Sequence, residues 1–437
     1  MVGELEAYAK KNKINYFLFN FTDLFGTQRA KLVPAEMATR MQKSGAGFAG
    51  FATWLDQTPA HPDVLVMPDP DSIIPLPWKP GVAWVAGDPW MSGKPLEQAP
   101  RLALKRLIEK HKKNNMLLMA GCEPEFHLVN ADGSAPSDAR DTQEKPCYDQ
   151  AAIMRRLDVI TEICTTMTQL GMKPYQNDHE DANGQFEINW DFNDALTTAD
   201  QLCFFKFMVK QIAEKHGLRA TFMPKPFINL SGNGCHAHLS VWDKGRKKNL
   251  FEDEGDKEGM GLSQLAYNFI GGLMHHADSL VAITNPTVNS YKRINAPRTL
   301  SGATWSPNTI TYGGNNRTHM VRIPDNGRCE FRLPDPAANP YLMLAGILAA
   351  GMDGVEKKMN PGKRLDIDMY AEGHTVKDAK KLPLNLLDAL RNLEANKMLR
   401  SEIGEEVMSG YLKLKNNEWN QYCRHLTQWE RDTTLDC

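Results

Sequence analysis

Acids, imidazoles and guanidiniums recur at short spacings in four widely separated stretches of this chain: Glu123 with Glu125, Glu180 with Glu187, His236 with His238, and Glu330 with Arg332. On a β-strand, residues i and i+2 point to the same face, so a pair at that spacing aims two polar groups into one cavity. Glu180 and Glu187 instead flank a turn of small residues, DANG, that leads into an alternating strand. Five carboxylates and two imidazoles meeting in one place repel one another unless divalent cations hold them. The pattern therefore points to an oxygen-rich metal site, and the arginines nearby point to a phosphorylated substrate.

Such a site needs a large scaffold, and 437 residues at 42% hydrophobic and 24% charged supply one with room for two domains. Lys and Arg (51) nearly balance Asp and Glu (53), so no sequence-wide charge draws the chain to nucleic acid or to an anionic membrane, and both are excluded as partners. Residues 1–13 are charged and amphipathic, without the apolar core of a signal peptide, and no later segment has the roughly 18 uninterrupted apolar residues of a membrane span. The expected compartment is the cytoplasm. Eight cysteines occur singly, with no CxxC pair, and read as reduced.

Residues 14–35 predict a strand, a turn at DLFG and a second strand, and short apolar runs follow at 64–67, 73–75 and 82–85. Helical signal is sparse before residue 100. The Pro/Gly-bearing stretch 91–100 (MSGKPLEQAP) marks a domain boundary. Beyond it the periodicity predicts a helix over 101–112, another capped by Asp149 and closed by Gly171, and a third capped by Thr198 and stopped at Gly217. Helices alternating with strands that carry the polar motifs predict an α+β catalytic domain, with an antiparallel sheet bearing the active site and helices behind it.

Each motif has its own local logic. Residues 121–128 (GCEPEFHL) read as one strand with Glu123 and Glu125 on one face and Phe126 and Leu128 on the other. The glycine-bearing turn SGNG at 231–234, ahead of the alternating strand His236-Ala237-His238, lets backbone N–H groups approach a ligand closely while the imidazoles supply a metal bond or a phosphate contact. Arg317, Arg322 and Arg332 suit planar, bidentate capture of phosphate and carboxylate.

Together these segments resemble the glutamine synthetase family over nearly the whole chain: NPTVNSYKR (285–293), FMPKP, RLPDPAANPYL and EWNQYCRHLTQWE (418–430) follow that family's order and spacing. The resemblance implies a small β-grasp domain over residues 1–98 and a catalytic domain over 99–437, with two hexameric rings stacked into a dodecamer whose active sites are shared between neighbouring subunits. It implies two or more Mg²⁺ or Mn²⁺ ions per site, one on Glu125, Glu180 and Glu187 and another on Glu123, His236 and Glu330. It assigns His238, Ser240 and Arg322 to ATP, Arg317 to phosphoryl transfer and ATP, and Gly232, His236, Arg293 and Arg332 to L-glutamate. The chemistry expected is attack of the glutamate γ-carboxylate on ATP, followed by attack of an amine on the resulting γ-glutamyl phosphate.

The amine is where the sequence departs from the pattern. Ammonia-using relatives carry an acid on a flap just before an Ala-Pro pair, and an acid from the neighbouring subunit's amino-terminal domain. Here Trp305 falls at the first position, and Phe48, Phe51 and Trp54 occupy the second stretch. Aromatic faces attract an alkylammonium, worth about 0.5–2 kcal/mol per contact. Such an amine, with a pKa of about 10.4 like the lysine head group, arrives protonated, so a base is needed, and Asp178, helped by Glu187, is the candidate. The expected reaction joins L-glutamate and methylamine; ammonia or a larger amine are the alternatives. The family's modifiable tyrosine before a Leu-Pro pair has no counterpart at DAKKLP (378–383).

Overall fold

The computed structural model describes residues 3–299 and 301–437; Met1 and Val2, which open the charged amino-terminal stretch, lie outside them. Strands Tyr16–Thr22 and Gln28–Pro34 pair antiparallel around Asp23, whose carboxylate accepts hydrogen bonds from the backbone N–H groups of Phe25 (3.1 Å) and Thr27 (3.0 Å). Gly26 closes that turn at φ +80°, a conformation that disfavours any side chain. Val82–Met91 runs parallel to Tyr16–Thr22 and antiparallel to Val64–Pro68, with Ala46–Phe48 at the edge. Two short helices, Glu4–Asn12 and Ala38–Ser44, form where helical signal was sparse. They set Leu5, Ala9 and Ala38 into the same apolar cluster as Phe17, Phe19 and Phe21.

Arg101, buried at the start of the helix Pro100–Lys112, ties this sheet to the rest of the chain. Its guanidinium bonds Asp200 through two nitrogens (3.0 and 2.9 Å), Asp88 (2.8 Å) and Asp69 (2.9 Å), and the Tyr341 hydroxyl donates to Asp200 (2.6 Å). Removing one partner of such a buried network costs about 3–5 kcal/mol, because a charge is left unpaired.

The helices follow the predicted positions with two differences. The segment capped by Asp149 breaks at Arg156 into Gln150–Arg155 and Leu157–Gln169. The third helix, Ala195–Lys215, starts earlier than a Thr198 cap requires, because Asp194 accepts from the N–H groups of Leu196 (3.2 Å) and Thr197 (3.1 Å). The Thr198 hydroxyl turns to the carbonyl of Ala120 instead (2.8 Å). Helix Pro340–Glu356 is buried almost all round. It packs on Gln264–His275 so closely that a Cβ on Gly272 would lie 2.1 Å from the Ala350 carbonyl oxygen.

The architecture is α+β, and the polar motifs rest on two sheets. The expected strand over 121–128 is two strands, Leu117–Pro124 and Phe126–Asn130, which part at Glu125 and enter different sheets. The first pairs antiparallel with Cys235–Trp242, which pairs on its other edge with Cys329–Phe331; Val321–Arg322 and Tyr312–Gly313 follow, the last pairing being parallel. The second lies between Gln185–Trp190 and Leu218–Thr221, and Pro174–His179 completes that sheet. No helix among the described residues is long and apolar enough to cross a membrane.

Candidate active site

Cross-strand register gathers the acids. In the sheet centred on Cys235–Trp242, His236 sits opposite Glu123, and His238 sits opposite Glu330 on the other edge. In the neighbouring sheet Asp178 faces Glu187. The two sheets meet around a cavity of about 450 Å³ lined by Glu123, Glu125, Asp178, Glu180, Glu187, His236, His238 and Glu330, with Arg317, Arg322 and Arg332 among its other walls.

The ligand atoms of three overlapping groups, Glu123–His238–Glu330, Glu123–Glu187–His236 and Asp178–Glu180–Glu187, each lie within 4.8 Å of one another. This grouping draws in His238 and Asp178 beyond the six expected ligands. Glu125 stands outside it because one carboxylate oxygen accepts from the Gly234 N–H (2.7 Å) and from Gln185 (2.8 Å); the other lies 3.9 Å from His236 Nε2. Both His236 Nε2 and one oxygen of Asp178 are buried without a hydrogen-bond partner. Carboxylate oxygens, two imidazoles and orphaned polar atoms facing one space fit divalent cations such as Mg²⁺ or Mn²⁺.

Electrostatics agree with the geometry. Burial, then the charges of Glu125 and Asp178, push Glu180 well above the usual carboxylate range; burial and Glu123 do the same to Glu187. Glu125 is pushed up to about 7, by burial first. Asp178 is raised to about 6 by burial and the nearby Glu123. Glu330 goes the other way: burial opposes ionisation, but Arg332, the two histidines and Arg322 hold it well below its ordinary value. Arg332 reaches Glu330 at 2.5 Å and Arg322 reaches its other oxygen at 2.8 Å.

A thermodynamic consequence follows. The folded chain without cations holds the protons of Glu125, Glu180 and Glu187 more tightly than the unfolded chain does. Their stabilising effect is full below the ordinary carboxylate value of 4.5 and is lost as pH rises through their raised values, about 7 for Glu125. Chelated protein should therefore melt at a lower temperature at about pH 7.5 than at about pH 5, with Mg²⁺ restoring more stability at the higher pH. An increment from Mg²⁺ that is the same at both pH values would contradict this.

The glycine loop supplies the third wall. A Cβ on Gly232 would lie 2.4 Å from the Pro224 carbonyl oxygen. One on Gly234 would fill the space between His236 Nε2 (2.7 Å), Arg293 (2.9 Å) and Glu125 (3.1 Å). Arg293 is buried behind this loop and donates to the Leu333 carbonyl (2.9 Å). Ser240 lies instead in an adjoining cavity of about 270 Å³, walled by Trp242, Phe192 and Tyr175, which shares Glu123 and His238 with the first. Its walls mix these aromatic rings with polar side chains, Asn189, Asn249 and Arg328 among them.

Trp305 lines the acid cavity and adopts φ +54°, uncommon for a bulky residue. Phe48, Phe51 and Trp54 do not reach the cavity within this chain. Phe48 is 9% exposed and packs edge-on to Phe21 in the core of the first sheet, because its strand turns that side chain inward. Phe51 (61% exposed) and Trp54 (45%, stacked on Phe25) face outward.

Sequence reasoning missed four contributors. Gln185 links Glu125, the Gly232 carbonyl and Asn233; Asn189 donates to Glu187; Arg328 contacts His238; Asp181 is hydrogen-bonded to the glycine loop. Gln185 was the findable one, since it lies two residues before Glu187 on an alternating strand.

Residues 97–434 match the family model for the glutamine synthetase catalytic domain. The chain is 64% identical to a glutamine synthetase of Rhizobium leguminosarum bv. phaseoli, with all of both chains covered. It is 44% identical to a glutamate–methylamine ligase of Methyloversatilis universalis, with 99% of each covered. Among solved structures, a GmaS/ADP complex superposes with a TM-score of 0.95 at 62% identity, and an apo GmaS with 0.94 at 60%, each over 99% of both chains. The chain belongs to the glutamine synthetase family. It is an ATP-dependent, amide-forming glutamate ligase, and enzymes of this family use divalent metal ions.

Proposed function

We propose that the amine is methylamine: ATP, L-glutamate and methylamine give γ-glutamylmethylamide, ADP and phosphate. The observation that carries this reading is Trp305, standing where an ammonia-using site is expected to have its flap carboxylate, on the wall of the same cavity that Asp178 lines. The names of the methylamine-using relative and of the GmaS structures support it. The names of the relatives at 64% and 61% identity favour ammonia, the competing reading.

The residue roles in this reading are those that the family resemblance implies. Gly232, His236, Arg293 and Arg332 hold glutamate; His238, Ser240, Arg317 and Arg322 hold ATP. Glu125, Glu180 and Glu187 would hold one Mg²⁺ or Mn²⁺, and Glu123, His236 and Glu330 another. Such cations, when bound, neutralise triphosphate charge that the arginines cannot cancel alone. The glutamate γ-carboxylate attacks the γ-phosphorus and ADP leaves. Asp178, ionised above about 6, takes a proton from methylammonium held against Trp305, with Glu187 beside it. The free amine then attacks the acyl carbon and phosphate departs.

The proposed assembly is a cytoplasmic dodecamer of two stacked hexamers, built from domains 1–98 and 99–437. Outward-facing Phe51 and Trp54 would then meet a neighbouring subunit's site, and eight free cysteines suit a reducing compartment. Initial rates with each amine, at saturating ATP and glutamate, test the proposal: kcat/KM should favour methylamine, and a preference for ammonia would reject it.

A further inference from the structure

Asp181, the residue after Glu180, is buried and belongs to none of the roles above. One oxygen of its carboxylate accepts two hydroxyl hydrogen bonds, from Ser231 (2.5 Å) and from Ser301 (2.6 Å). The other oxygen faces the thiol of Cys147 (3.7 Å). Both hydroxyl bonds are in the short range of charge-assisted contacts.

These partners come from different loops. Ser231 immediately precedes Gly232 on the glycine loop, while Ser301 belongs to the segment that delivers Trp305. Thr299 closes the group: its hydroxyl lies 3.0 Å from that of Ser301 and 3.4 Å from that of Ser231. It also donates from its backbone N–H (3.1 Å) and its hydroxyl (2.9 Å) to the Ala303 carbonyl, shaping the turn ahead of Trp305. One carboxylate thus joins the turn bearing Glu180, the loop proposed for glutamate and the segment bearing Trp305.

We propose that Asp181 is a positioning residue that latches the Trp305 segment over the acyl phosphate, so that amine rather than water consumes it. This rests on the ligase chemistry above but not on which amine is used. An acyl phosphate is open to hydrolysis wherever water reaches it. Water then adds to the acyl carbon, phosphate leaves, a proton is released and glutamate is regenerated, so ATP and water become ADP and phosphate with no amide formed. Loosening the latch uncouples the two halves of the reaction, whereas mere loss of folded enzyme lowers both products together.

The test is the ratio of ADP to amide formed by Ser301→Ala, Ser301→Thr and Asp181→Asn, with Mg²⁺, ATP and glutamate and in separate arms with methylamine and with ammonia. Ser301→Ala should raise the ratio about three-fold or more over the parent enzyme. Asp181→Asn, whose neutral amide oxygen can still accept both hydroxyls but without the charge that strengthens them, should raise it by less than Ser301→Ala does. Ser301→Thr keeps the hydroxyl and should restore the parent ratio. An unchanged ratio in Ser301→Ala overturns the proposal whatever happens to the rate, and so does a raised ratio that Ser301→Thr fails to restore. A ligase that prefers ammonia would show itself separately, in which amide accumulates.

Discussion

Replacing Arg332 with Lys lowers kcat by about 10²–10³-fold, the loss typical of removing one preorganised donor from a developing charge. The positive charge itself is retained, so the effect measures geometry. Arg332 is buried, spends one terminal nitrogen on Glu330 at 2.5 Å, and has an Nε with no partner among the described residues. A planar guanidinium can hold Glu330 and present a second donor to glutamate or the transferring phosphoryl group at once; an ammonium on a flexible stem cannot do both. Steady-state kcat at saturating substrates and KM for glutamate read this out. Near-normal turnover would remove Arg332 from the reaction.

Changing Trp305 to Glu shifts amine choice. Losing the aromatic face costs an alkylammonium about 0.5–2 kcal/mol, while a carboxylate in its place favours the small, strongly hydrated ammonium ion. The ratio of kcat/KM for methylamine to that for ammonia should fall about ten-fold or more, ten-fold being about 1.4 kcal/mol. Trp305→Phe keeps an aromatic face and should retain most of the preference. The left-handed backbone at Trp305 adds weight, because strain of this kind persists where surrounding structure demands a particular side-chain placement. An unchanged ratio in Trp305→Glu would mean that the indole only packs the segment shut.

The chemistry of the site was legible in the chain because metal and phosphate recognition demand particular residue types, and strand spacing says which of them share a face. The pairing of His236 with Glu123 and of His238 with Glu330 was not, since register is set by tertiary packing. Glu125 shows the limit of reading period two alone: Pro124 ends one strand, the chain changes sheets, and one carboxylate oxygen is committed to Gly234 and Gln185, leaving the other toward His236. Phe48 was grouped with Phe51 and Trp54 by proximity in sequence, yet an edge strand turns it into a core. At the third helix, Asp194 prevailed over Thr198 as the cap because the backbone N–H groups of Leu196 and Thr197 lie within its reach. The Asp181 contacts join residues up to 120 positions apart, a separation at which sequence alone carries no signal.

The claim on which the rest depends is that these distant β-segments grip two divalent cations against a triphosphate. Anomalous diffraction from crystals grown with Mn²⁺, ATP and glutamate tests it most directly. Two or more manganese peaks are predicted in the cavity, one against Glu125, Glu180 and Glu187 and another against Glu123, His236 and Glu330. A single peak, or peaks away from these side chains, would contradict it.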